Sequence, residues 1–72
     1  MNFNQLKEVA DGILADRNLS EKVTRISIDH NFLTHEDEYV LSSGGIGGFG
    51  SSLQESAEAL ADKLTRHNAT CR

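Results

Sequence analysis

Ser43 to Ser52 reads Ser-Gly-Gly-Ile-Gly-Gly-Phe-Gly-Ser-Ser and holds five of the chain's six glycines, in a sequence without proline. Glycine at this density offers little side chain to bury and punctuates the chain more strongly than anything else in it, so 43–52 reads as a glycine-rich loop within a single domain. The segment ends where a helix begins. Ser52-Leu53-Gln54-Glu55 fits the capping box, in which the N-cap serine and the glutamate three residues on satisfy each other's backbone amides. Leu53, Ala57, Leu60, Ala61 and Leu64 then recur on one helical face, with Glu55, Glu58, Asp62 and Lys63 largely on the other. The pattern carries this helix to about His67 and leaves 69–72 as a frayed tail.

Upstream of the glycines, Phe3, Leu6, Val9, Ala10, Ile13 and Leu14 share one helical face. Asn2 or Asn4 can cap this first helix, Lys7 and Asp11 are spaced for an i,i+4 pair, and Arg17-Asn18 suits its end. Gly12 is out of place inside it, where glycine costs about 1 kcal/mol relative to alanine. Hard packing or the close approach of a neighbouring backbone would account for it. Between Val23 and Phe32 the period changes to two, with Ile26, Ile28 and Phe32 on one side and Arg25, Ser27 and Asp29 on the other, which predicts a half-buried strand. A second β-prone run, Glu38 to Ser42, follows a polar stretch, so an antiparallel hairpin with an acidic connection is expected.

The expected fold is therefore α+β: a small α-β-β-α domain over 1–72, with an antiparallel hairpin packed against two helices. Two strands make a poor sheet, and their free edges invite a third strand, a second copy or a partner. A homodimer whose hairpins join, or a partner that completes the sheet, is the expectation. A chain of 72 residues with a single cysteine cannot staple itself by an intrachain disulfide, and Cys71 reads as a bystander thiol on the tail.

Charge narrows the function classes. Seven Lys and Arg against eleven Asp and Glu give a formal charge of −4, which opposes the electrostatic term behind nucleic-acid affinity. No polybasic run or long apolar stretch points to a membrane, and Met1 to Gln5 lack the charged and apolar segments of a secretion signal, so a cytoplasmic protein is expected. The sequons at Asn18 and Asn68 have no meaning on such a chain.

Three chemistries have candidate residues in the sequence. Gly45-Ile46-Gly47-Gly48-Phe49-Gly50 satisfies G-x-G-x-x-G after a predicted strand and before a capped helix, so Gly45, Gly47 and Gly50 are candidates for a phosphate- or nucleotide-binding module, perhaps serving a larger enzyme. Against this, the motif needs a returning parallel strand and an acidic ribose ligand, and Glu55 and Glu58 would repel a phosphate. His30, His35 and His67 with nearby carboxylates lack the spacing of a metal site. Ser42, Ser43, Ser51 and Ser52 lie in no nucleophile elbow, and neither an enzyme nor a cofactor is expected.

The remaining reading is a small non-enzymatic protein that binds, and regulates or inhibits, a larger host or cognate protein, including one that itself binds nucleic acid. Its economy would suit a phage or mobile-element inhibitor of a host defence system. Ile46 and Phe49, held among glycines, are the expected apolar anchors unless they complete the core, and two acidic strips, Glu36, Asp37 and Glu38 on the hairpin and Glu55, Glu58 and Asp62 on the second helix, are the expected charged contacts. A third possibility is self-assembly alone.

Overall fold

Asn2 opens the first helix as the sequence suggests: its side chain accepts from the Gln5 N–H at 2.9 Å while the Gln5 amide oxygen accepts from the Asn2 N–H at 3.0 Å. The structure, a computed structural model, describes residues 2–70 as α1 (Phe3–Asp16), β1 (Arg25–Asn31), β2 (Glu36–Ser43), β3 (Ile46–Gly50) and α2 (Leu53–Thr70). The α+β class and the β1–β2 hairpin follow the sequence reading, and the second helix runs three residues beyond it. Residues 69 and 70 are helical, and Cys71 lies outside the described residues.

The main correction is the glycine segment. It is not a loop: Gly44 and Gly45, at φ +57° and +93°, form a two-residue turn, and Ile46–Gly50 returns as a third antiparallel strand on β2. Two successive positive φ values match the turn whose twist suits a tight hairpin, and glycine adopts them at no steric cost. The chain thus supplies its own third strand, in the sheet order β1-β2-β3.

Strand parity decides which residues meet the helices. Ile26, Leu41 and Gly48 are opposite one another, so they share a face with Ile28, Tyr39, Ser43, Ile46 and Gly50. This is the packed face. A Cβ on Gly48 would lie 2.4 Å from the Leu60 backbone nitrogen, and one on Gly50 would lie 2.6 Å from the Ser56 nitrogen. The two glycines are what let the backbone of α2 rest directly on β3.

Leu14, Val23, Leu41, Leu60 and Leu64 fill the core with Ala10, Ala57 and Ala61, and α1 packs alongside α2. Asp11 joins α1 to the strand entry by accepting the Val23 N–H at 2.8 Å, and it pairs with Lys7 as its spacing implied. The α1 periodicity overstates burial at its edges, since Phe3 and Val9 stay exposed. Neither expected reason for Gly12 holds: it is exposed, and a Cβ there would meet nothing within 4 Å.

All of this core lies at one end of a molecule with extents of 42 × 23 × 17 Å. β3 ends opposite Tyr39, so beyond that point β1 and β2 continue as a two-stranded arm, and every residue from 27 to 38 is exposed. The expected half-buried strand is half-buried only at Ile26.

Candidate interaction site

The arm turns through Phe32, Leu33, Thr34 and His35, between the paired Asn31 and Glu36. Asn31 organises this turn. Its side-chain oxygen accepts from the Leu33 N–H at 2.9 Å and the Thr34 N–H at 3.2 Å, and its backbone carbonyl accepts from the His35 N–H at 2.7 Å. His35 closes the turn at φ +58°, a left-handed conformation that histidine visits more readily than most residues. Just below, His30 Nδ1 lies 2.7 Å from Asp37 Oδ1, and the His30 and Phe32 rings meet edge-on at 4.8 Å.

The turn holds two large apolar side chains in water. Phe32 is 81% exposed and Leu33 is 93% exposed. The period-two pattern puts Phe32 on one face of a half-buried strand with Ile26 and Ile28, and nothing in that pattern marks Leu33. The available signal was Asn31-Phe32-Leu33-Thr34 itself, because turn tips are ordinarily polar and an apolar pair there has no local burial.

The acidic residues expected in the connection lie instead in β2, where alternation divides them. Glu36 and Glu38 point to the open face with Asp29, which is directly opposite Glu38, while Asp37 points to the other side and meets His30. Like charges paired across a sheet are unfavourable, so the Asp29–Glu38 arrangement concentrates negative potential at the arm. A shallow groove of about 310 Å³ runs between this acidic patch and Phe49.

Ile46 and Phe49 separate. Three residues apart on a strand, they face opposite sides: Ile46 packs against the core, and Phe49 is 56% exposed on the open face, with the Lys63 ammonium 5.0 Å from its ring centroid. The second acidic strip is engaged within the chain. Arg17 Nη1 lies 2.9 Å from Asp62 Oδ1, and Arg17 Nη2 lies 3.6 Å from Glu58 Oε1. Glu55 accepts from the Ser51 N–H and hydroxyl, which hold its carboxyl below the usual glutamate range. Only half of the expected capping box forms, with the Glu55 N–H reaching Ser52 Oγ at 3.2 Å.

The same arrangement leaves no cradle for a phosphate. Gly45 sits in the hairpin turn at one end of β3, Gly50 is packed on α2 at the other, and the strand between them is antiparallel to its neighbour. The N-terminus of α2, where a pyrophosphate would rest, carries the Glu55 carboxylate. Among the described residues no three His, Cys, Asp or Glu side chains gather to hold a metal, and no helix is long and apolar enough to cross a membrane. No protein-family model matches the chain, and no curated protein and no solved structure is significantly similar to it.

Proposed function

We propose that this chain is a small, non-enzymatic, cytoplasmic binding protein that docks the tip of its β-arm onto a larger protein and thereby regulates it or blocks its ligand site. The observation that carries this reading is the exposed Phe32–Leu33 pair on a turn already ordered by Asn31. A turn whose backbone is ordered before contact loses less entropy on binding, and the apolar pair it presents suits a pocket in a partner. The carboxylates of Asp29, Glu36 and Glu38 behind them favour a basic rim around that pocket. This shifts the anchor from Ile46 to the arm tip and leaves Phe49 as a flanking contact.

The test compares affinity capture by the parent, by Phe32→Ser/Leu33→Ser and by Glu36→Lys/Glu38→Lys. The tip variant should lose the captured partner while melting at the parent's temperature, because neither side chain is buried. The charge variant should associate more slowly, with a flatter salt dependence. Retention of the same partner at the same strength by the tip variant would overturn the reading.

A further inference from the structure

Among the described residues no strand pairs with the outer edge of β1, since the sheet ends there. Its hydrogen-bonding pattern follows from the hairpins. The two-residue turn makes Ser43 and Ile46 a hydrogen-bonded pair, alternation along β2 then turns the backbone of Val40 and Ser42 toward β1, and their partners Ser27 and Arg25 turn inward to meet them. The N–H and C=O groups of Ile26, Ile28 and His30 therefore point outward along the free edge.

We propose that this edge pairs with the same edge of a second copy, antiparallel about a two-fold axis at Ser27, to give a continuous six-stranded sheet. Three observations select that partner and register. First, Ile26 falls opposite Ile28 of the other copy, and these are residues whose backbone groups point outward, so both rows of hydrogen bonds can form. Second, Arg25 falls opposite Asp29 of the other copy, twice by symmetry. Four residues apart on one strand, these two side chains start about 13 Å from each other and cannot pair within a chain. Among the described residues neither forms an ion pair. The alternative axis at Asp29 would set two carboxylates face to face, and an axis at Ile28 would leave Arg25 opposite Asn31. Third, Ile28, 40% exposed on the helix side of the arm, comes to the other copy's groove of about 190 Å³ beside Phe3, Val23 and Ile26, where Phe3 is itself 60% exposed. The base of each unsupported arm is thus buttressed by the other copy's body.

Sedimentation equilibrium on the full chain tests this. The parent should give twice the 7.9 kDa chain mass. Arg25→Asp and Asp29→Arg should each weaken the dimer at least about tenfold, and Arg25→Asp/Asp29→Arg, which re-forms both pairs in the same register, should bring it back. Ser27→Cys in a Cys71→Ser background should form an interchain disulfide in air, because the two cysteines would face each other in a non-hydrogen-bonded pair. Far-UV circular dichroism checks that each variant folds. A parent that stays monomeric to millimolar concentration would overturn the proposal and give the edge to a different strand. A dimer indifferent to both single reversals, or one that the double variant does not restore, would overturn it as well.

Discussion

Replacing Gly48 by alanine would set a methyl group 2.4 Å from the Leu60 nitrogen, 2.6 Å from the Ser56 carbonyl oxygen and 2.8 Å from the Leu60 Cα. All three are backbone atoms of α2, so no side-chain rotation relieves the clash. Ordinary contact begins at 3.4 Å, and the helix must back away by the difference of about 1 Å. That movement pulls Ala57, Leu60 and Ala61, all fully buried, off the sheet. Overpacking of this kind costs up to about 3 kcal/mol. For a domain of this size the total stability is about 4–11 kcal/mol, and the loss corresponds to a drop in Tm of roughly 12–24 °C. Gly47 is the internal control. Its φ is not positive, and an added Cβ would make only ordinary contacts, 3.7 Å from Ser42 Oγ and 3.8 Å from the Leu41 carbonyl oxygen. Gly47→Ala should be neutral or stabilise by about 0.4–1 kcal/mol through the unfolded chain. Thermal and urea melts followed by far-UV circular dichroism read both variants. A Gly48→Ala protein that melts within about 3 °C of the parent, or below which Gly47→Ala falls, would refute the argument that β3 is glycine-rich because α2 lies on it.

Gly12→Ala should stabilise the protein by about 1 kcal/mol, because the position is an exposed helix interior with free space around its Cα, and a urea midpoint shifted upward with unchanged slope would show it. Acid should weaken the join between β3 and α2. The Ser51 hydroxyl, and after it the Ser51 N–H, depress the folded pKa of Glu55, so its contribution is complete above about pH 4.3 and is lost as the pH falls through the lower folded value. Melts between about pH 5 and pH 3 should therefore fall more steeply for the parent than for Glu55→Gln, and parallel curves would refute that link.

The helices were legible because their signals are local. Asn2, Ser52 and the three- and four-residue apolar spacing fix where each starts and which face it buries, and no distant contact is needed to read them. β3 was illegible for the opposite reason. Glycine has low intrinsic strand preference, and Gly48 and Gly50 are in a strand because a helix folds back from later in the chain to lie on them. Once that strand is known, parity alone assigns Ile46 to the core and Phe49 to the open face. Glu36 and Asp37, expected in the connection, pair with β1 where the ribbon is exposed on both faces, so no apolar alternation marks them as strand. Asn31 and His35 carried the turn, but its geometry depends on backbone angles that composition does not state.

The arm tip and the β1 edge bear on each other. A two-stranded ribbon without a third strand or a helix beneath it is marginal in water, and here its length is set by where β3 stops, opposite Tyr39. Pairing of β1 edges about Ser27 would support the lower half of each arm while leaving its tip free, because the register carries Asn31 and the turn beyond it past the other copy's β1. From Ser27 to the turn is about six residues, or roughly 20 Å of strand, and the two arms run in opposite directions. Two tips would then stand roughly 40 Å apart on one rigid sheet. A partner offering a repeated pocket at that spacing would be held by both tips, and the second contact would form at high effective concentration. A partner with a single pocket would gain nothing from the dimer. Arg25→Asp separates these cases, since it divides the dimer without touching either tip or the carboxylates behind it: loss of partner affinity on dissociation would mark a bivalent target, and unchanged affinity a target engaged by one arm.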